Sequence, residues 1–593
     1  MALVQVSSEQ VEESSKQVEE INNMPTSKEE GSSSESKISI PKRFWINCTD
    51  EVLYFRYSPL FVHMASGSLG AKEFNEYVAN YAHLLNTFLE VYKLAADQCE
   101  DVSDEAAFLG WSYNVKLELK RHNSIVEQKL GLNPTIETAL HPATAKYKDF
   151  LLATASGNVQ DSAPVQQSKI PAYTLGAMTP SLRLYAFLSK EMQTLVSAYV
   201  DSHPYSKWFE EYSYKRFKAS YRDAEELLDK LCNSLSQEEI QVVQRLYRHA
   251  MRLEMDFFYS RQSEQTLILP IYPNLDAKKE RLMLFADFDF TCTSVASLEI
   301  LANIEILSAQ KPDQQRQGED RDGHSQIASI DLGKTWELLS QQYALENENF
   351  KKEIMLGKKA VSFDYGRLYR AFEKLSSPDG QAVPRIFGSG VLKGISLEGI
   401  KQAGKCMKLH NGCLNFFEKV NNPDVSVTVM SCWSGDLTRS ALSGDSDMLN
   451  VDGNEFTYAD GIFTGDVTRQ AHQSAIAKVE YFDDMVWKYG QEHIRIPRSV
   501  FIGDSVGDLL CLVSADIGIV VGSNKSLIEV GNHYGITFVP LYAAVVKEQI
   551  KRLETDAWIW KGGMCGILYT VTSWTEIHAL ILGRDLVRNC DLS

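Results

Sequence analysis

The chain has 593 residues, 44% of them hydrophobic and 10% aromatic, with a formal net charge of -18. That length exceeds a single hydrophobic core, and the composition is that of a packed globular protein. The acidic balance excludes a general affinity for nucleic acid or an anionic membrane, since both need a positive field.

Residues 1–40 hold eight Glu, three Lys and no Arg, with no apolar stretch. This predicts a disordered acidic tail, neither a secretory signal nor an Arg-rich presequence, and places the protein in the cytosol. The ten cysteines of the chain include no C-x-x-C pair, which reads as reduced thiols rather than a disulfide framework or a zinc site. No apolar run approaches the ~18 residues that span a bilayer.

From 41 to 262 the pattern is helical almost throughout. In "FNEYVANYAHLLNTFLEVYKLAAD" the apolar residues Phe74, Tyr77, Val78, Tyr81, Leu84, Leu85, Phe88 and Tyr92 recur at intervals of three and four, the stripe of a long amphipathic helix. A second helix begins at Ser236, where Ser236 and Glu239 fit a capping box. Several such helices predict an all-α bundle. Glu254 falls in register with Ala250, Phe257 and Phe258 on the face that points inward, so it is either paired or functional, because a bare buried carboxylate is costly.

Residues 263–281 break the helical rhythm with two prolines and a charged tail, which marks a linker. Beyond it, from 282 to 593, short apolar runs at Leu282–Phe285, Val425–Met430, Ser499–Ile502, Ile517–Val521 and Ile536–Val539 alternate with helical stretches and predict an α/β domain with a parallel sheet. About 130 residues of mainly helical pattern separate the first two runs, too many for one crossover. They predict an inserted helical cap, about 298–420.

Ligands of open parallel sheets bind at the carboxyl ends of strands. There the sequence puts Asp287, Asp289 and Thr291 after the first run, Ser431 after the second, Lys478 ahead of the third, and Asp504 and Asp508 after it. Phosphoryl transfer through an aspartyl-phosphate uses this set. A carboxylate attacks phosphorus only where a hard divalent cation relieves the repulsion between anions. Asp287 is then the nucleophile, and Mg²⁺ is shared by Asp287, Asp504 and the backbone carbonyl of Asp289. Ser431 and Lys478 hold the phosphate oxygens. Asp289 points the same way along an extended chain and handles the proton of the leaving group and then of the water. Asp508 orients Lys478 or lies behind the metal ligands. Trp433 suits either stacking on an aromatic substrate or core packing.

The motifs "DFDFT" and "GDSVGD", with the serine and the lysine between them, resemble the haloacid dehalogenase superfamily of phosphatases over residues 282–540. The resemblance implies a Rossmann-like α/β domain, and the cap resembles that of the phosphoserine-phosphatase-like branch. Residues 45–262 resemble the TenA family, thiaminase II-like helical proteins of thiamin salvage, through "FNEYVANYAHLL", "TPSLRLYAF", "HPYSKWFEEY" and "MRLEMDFF". By that resemblance Tyr185, Tyr212 and Glu254 fall on pyrimidine-pocket positions. The family's nucleophilic cysteine aligns with Ser181 and its pyrimidine-binding aspartate with Tyr81, which counts against hydrolysis in this domain because a serine is far harder to activate than a thiolate.

The two domains in this order resemble bifunctional plant proteins that join thiamin monophosphate phosphatase activity to aminopyrimidine salvage. The expectation is therefore an Mg²⁺-dependent phosphatase acting on thiamin monophosphate, with an attached domain for an aminopyrimidine. The alternatives are another small phosphomonoester as substrate, or a binding protein for a thiamin fragment. The resemblance also implies a homo-oligomer built through the helical domain, and a mitochondrial location as the alternative to the cytosol.

Overall fold

The computed structural model describes residues 38–129, 140–159, 165–196, 203–260, 266–309, 324–420, 425–442, 449–492, 495–554, 560 and 563–584. The acidic segment 1–37 and the start of the expected linker, 263–265, lie outside them. Contacts divide the chain into two compact units, Met1–Leu269 with Val545–Ala557, and Pro270–Ala544 with Trp558–Ser593.

The first unit is all-α. Its long helices are Ala71–Ala96, Val102–Ser124, Ile170–Val196 and Gln237–Tyr259. The predicted apolar stripe is the buried face of Ala71–Ala96, from Phe74 to Tyr92. The helix Gln237–Tyr259 opens on the predicted capping box: Glu239 N–H donates to Ser236 Oγ, and Ser236 N–H donates to Glu239 Oε2 at 2.9 Å. Pro180 interrupts Ile170–Val196 and has no N–H to donate. Beside it the hydroxyls of Thr179 and Ser181 donate to the carbonyls of Leu175 and Met178.

The second unit contains a seven-stranded sheet in the order β3-β2-β1-β6-β7-β9-β8, together with a separate β4-β5 hairpin. The strands are β1 Glu280–Asp287, β2 Val425–Met430, β3 Asn450–Asp452, β4 Glu455–Ala459, β5 Ile462–Arg469, β6 Ile496–Gly503, β7 Ile517–Val521, β8 Thr537–Pro540 and β9 Ile567–Val571. All pairings in the large sheet are parallel. β7 is buried at every residue, and β1 and β6 each carry a run of five buried residues, Leu282–Ala286 and Ser499–Gly503, as expected for strands covered on both faces. Between β1 and β2 the described helices are Ser297–Ala309, His324–Ile354, Tyr365–Lys374, Pro378–Gly388, Leu397–Lys405 and Cys413–Lys419. The described cysteines of the chain are free, and no helix among the described residues is long and apolar enough to cross a membrane.

Three parts of this architecture go beyond the sequence expectation. β3 is only three residues long. The β4-β5 pair mixes exposed and half-buried residues, so it lacks the continuous apolar run that marked the other strands. β9 follows β8 in sequence yet lies between β7 and β8 in the sheet.

Within the sheet, Gly518 on β7 has no room for a side chain: a Cβ there would sit 2.1 Å from the carbonyl oxygen of Leu512. Gly518→Ala is expected to destabilise the α/β unit by about 1–3 kcal/mol or more, the usual range for overpacking a tight core. A fall in the urea midpoint followed by circular dichroism checks this; an unchanged midpoint contradicts the close packing described.

Candidate functional site

β1 is flanked in the sheet by β2 and β6, so the residues that end these three strands converge. In register, Asp287 pairs with Met430, the residue before Ser431, and Ala286 pairs with Ile502, two residues before Asp504. The helix Ala475–Glu492 brings Lys478 to the same point.

Lys478 Nζ lies 2.5 Å from Asp287 Oδ1 and 2.6 Å from Asp508 Oδ1. The second oxygen of Asp508 accepts from the N–H groups of Asp504 and Ser505 at 3.2 and 3.1 Å and from Ser505 Oγ at 2.8 Å. Asp504 Oδ1 accepts the hydroxyl of Thr291 at 2.9 Å, and Trp574 Nε1 donates to the carbonyl of Thr291. Ser431 is buried beside this group, and its N–H donates to the carbonyl of Asp452. Asp289 turns toward Ser297, which donates to it through its N–H and its hydroxyl.

Charge is unbalanced here. Asp287, Asp504 and Asp508 bring carboxylate oxygens within 4.8 Å of one another, and one lysine faces them. Burial, then Asp508, raises the pKa of Asp287 despite the lysine. Burial, then Asp508, pushes Asp504 up to about 7. Burial opposes the charge of Lys478, but Asp287 and Asp508 outweigh it and hold its pKa well above the usual range. Such a set of hard oxygens with surplus negative charge fits Mg²⁺. Asp508 has both oxygens committed to protein donors, whereas Asp287 and Asp504 each keep an oxygen that no described residue bonds. Asp287 and Asp504 are thus the carboxylates available to a metal, with Asp508 behind them.

Asp289 differs from its neighbours. Burial raises its pKa to about 6, against the two bonds from Ser297. A carboxyl that exchanges its proton near neutral pH is suited to acid–base work. Trp433, for which the sequence left two readings, is buried and meets Tyr343 edge-on with ring centroids 6.3 Å apart.

The helical unit holds a cavity of about 590 Å³, counting the space at its mouth, with Tyr77, Tyr81, Tyr185, Trp208, Tyr212 and Phe258 among its walls. Of the residues singled out in the sequence, Tyr81, Tyr185 and Tyr212 line it, while Ser181 and Glu254 do not. Glu254 is fully buried behind the wall and accepts from Tyr185 Oη at 3.3 Å. Burial pushes its carboxyl up to about 8. Ser181 donates its hydroxyl to Met178 O at 2.9 Å. Two partners were not legible in the sequence. Tyr147 interacts with both Ser181 and Glu254, and His122 Nδ1 lies 2.8 Å from Tyr212 Oη. Each comes from a helix whose own pattern gives no sign of a pocket.

The TENA/THI-4/PQQC family model matches residues 54–265. A TenA homologue protein from P. horikoshii OT3 is 17% identical, covers 38% of this chain and 100% of its own, and gives a TM-score of 0.32. A phospho-aspartyl intermediate analogue of phosphoserine phosphatase is 19% identical over 43% of this chain and 91% of its own, with a TM-score of 0.26. The bifunctional TH2 protein, mitochondrial, of Arabidopsis thaliana is 42% identical over 564 residues, 93% of this chain and 90% of that protein. With that identity across nearly the whole of both chains, this protein belongs to the bifunctional TH2 family, and its helical unit carries the TENA/THI-4/PQQC match.

Proposed function

We propose that the α/β unit is an Mg²⁺-dependent phosphomonoesterase that hydrolyses thiamin monophosphate to thiamin and phosphate. The observation that carries this reading is the convergence of Asp287, Asp504 and Asp508 on Lys478 at the ends of β1 and β6, with Asp289 held apart on Ser297.

Asp287 attacks phosphorus through a carboxylate oxygen and forms an aspartyl-phosphate. Lys478, fixed by Asp508, holds a phosphate oxygen as the geometry at phosphorus inverts, and Ser431 supplies a hydroxyl on the adjacent strand. Asp289 gives its proton to the departing alkoxide, then takes one from the water that cleaves the acyl phosphate. When bound, Mg²⁺ supplies the positive charge that lets a carboxylate approach a phosphate dianion, and Asp287, Asp504 and the carbonyl of Asp289 would hold it.

In the helical unit the aromatic cavity suits a flat heteroaromatic ring, and membership of the TH2 family supports an aminopyrimidine as the occupant. Ser181, with its hydroxyl turned to a helix carbonyl and outside the cavity wall, is poorly placed as a nucleophile. Glu254 is the buried group with an exchangeable proton behind the ring site. The mitochondrial designation of the Arabidopsis relative supports a mitochondrial setting over the cytosolic one that the acid-rich N-terminal composition suggests.

Asp287→Asn is expected to lower phosphate release from thiamin monophosphate by about a thousandfold or more, as loss of a nucleophile does elsewhere. Chelation should stop release, and added Mg²⁺ should restore it. Identifying thiamin and phosphate as products checks the substrate, and persistent turnover by the Asn variant overturns the mechanism.

Glu254 gives a separate expectation for the helical unit. Its folded pKa of about 8 lies above the ordinary 4.5, so the folded form keeps a proton that the unfolded chain has released. The resulting stabilisation is fully present below the unfolded pKa and is lost progressively as pH rises to about 8, amounting to roughly a few kcal/mol. The melting temperature should therefore fall from pH 5 to pH 8.5, and Glu254→Gln should flatten that slope. Parallel slopes for the two proteins would contradict a buried protonated carboxyl.

A further inference from the structure

One carboxylate near the phosphate site has no part in the mechanism above. Asp379 sits in the first turn of the helix Pro378–Gly388, within the insertion between β1 and β2. It interacts electrostatically with Lys478 and Asp508 and with Asp289, so it shares the charged environment of the reacting groups. Its Oδ1 accepts the phenol of Tyr343 at 2.5 Å. No described residue hydrogen-bonds Oδ2, and no described Lys, Arg or His forms an ion pair with this carboxylate.

The backbone fixes Asp379 in this position. Ser377 Oγ donates to the carbonyl of Gln473 at 2.9 Å, five residues ahead of Lys478. A Cβ at Gly380 would lie 3.1 Å from that same carbonyl. The helix end and the approach to Lys478 are therefore in contact, with Asp379 between Ser377 and Gly380. Beyond Asp379, the ring of Tyr343 meets Trp433, two residues past Ser431.

A further acid beside a site for a phosphate dianion is a liability. It repels the substrate and supplies no proton that Asp289 does not already supply. Burial raises its pKa against the bond from Tyr343 and the charge of Lys478. The arrangement becomes favourable when the other end of the substrate is a cation: the carboxylate then gains a counter-ion at short range, and aromatic rings nearby add a face suited to a positive charge.

We propose that Asp379, braced by Tyr343, whose ring meets Trp433, selects phosphate esters whose leaving group carries a positive charge. The inference rests on the phosphatase reading above, but not on thiamin monophosphate being the substrate.

The test uses the full-length protein with Mg²⁺ and compares phosphocholine, whose leaving group is a cation, with glycerol 3-phosphate, whose leaving group is neutral. The wild-type protein should favour phosphocholine in kcat/KM. Asp379→Asn should lower the ratio of the two kcat/KM values by about tenfold, the scale of losing one desolvated charge pair, mainly through KM for phosphocholine. Tyr343→Phe should lower the same ratio by a smaller factor. A wild-type ratio near one overturns the proposal, and so does an equal loss on both esters in Asp379→Asn. If that variant does not fold, the wild-type ratio and Tyr343→Phe decide. Discrimination between the two esters without any release from thiamin monophosphate would overturn that substrate and leave the role of Asp379 standing. Silence on every ester would overturn both.

Discussion

The α/β unit is organised around one ammonium group shared by two buried carboxylates. Lys478 bridges Asp287 at the end of β1 and Asp508 after β6, so a single side chain on the helix Ala475–Glu492 ties the two central strands together at their carboxyl ends. A buried ion costs several kcal/mol of lost hydration, which only close partners and further hydrogen bonds offset. Asp508 meets that condition through three additional donors. Asp287 does not, because no described residue donates to its second oxygen. The bridge thus divides its carboxylates by function: one is fully satisfied and rigid, and the other keeps a lone pair exposed to whatever enters.

The two units handle buried acid in opposite ways. In the helical unit Glu254 is buried among tyrosines, with a bond from Tyr185, and no described cation pairs with it, so burial keeps it protonated into the neutral range. In the α/β unit several acids crowd one another around a lysine, so burial and mutual repulsion push the carboxyls up while the lysine draws them back toward the anion. The first arrangement favours a neutral, flat ligand that exchanges hydrogen bonds. The second favours a cation and then an anion held to it.

Much of this was legible in the residue pattern, for reasons that are local. The stripe from Phe74 to Tyr92 and the Ser236–Glu239 capping box follow from helix geometry, and β1, β2, β6 and β7 stand out because strands buried on both faces must be continuously apolar. The order of Asp287, Ser431, Lys478 and Asp504 was readable because parallel strands place their ends on one edge. What the pattern does not carry is any relation between distant segments that lacks a shared period. Tyr147 and His122 look like ordinary helical residues until the packing of the bundle places them against Glu254 and Tyr212. Asp379 reads as a first-turn acid, common at helix starts, and only its approach to Lys478, nearly a hundred residues away, distinguishes it. β9, with the run Ile567–Val571, has a strand-like sequence of its own, and what the pattern does not carry is its insertion between β7 and β8.

The two aspartates of the first motif show how strongly local environment overrides identity. Asp287 and Asp289 are the same residue two positions apart, and both are half-buried. Asp287 faces an ammonium that favours its anion, but burial and the repulsion of Asp508 and Asp504 outweigh it and hold its carboxyl well above the usual range. Asp289 faces the first N–H of the helix Ser297–Ala309 and the hydroxyl of Ser297. Those donors and the positive end of the helix favour its anion, while burial favours its acid. The balance, at about 6, leaves both forms populated near neutrality. Phe290, at φ 58, takes the left-handed conformation immediately after Asp289, a cost that a non-glycine residue accepts only where the surrounding structure enforces it. The chain therefore turns sharply just past Asp289, on the way to the helix whose first residue, Ser297, donates back to that carboxylate.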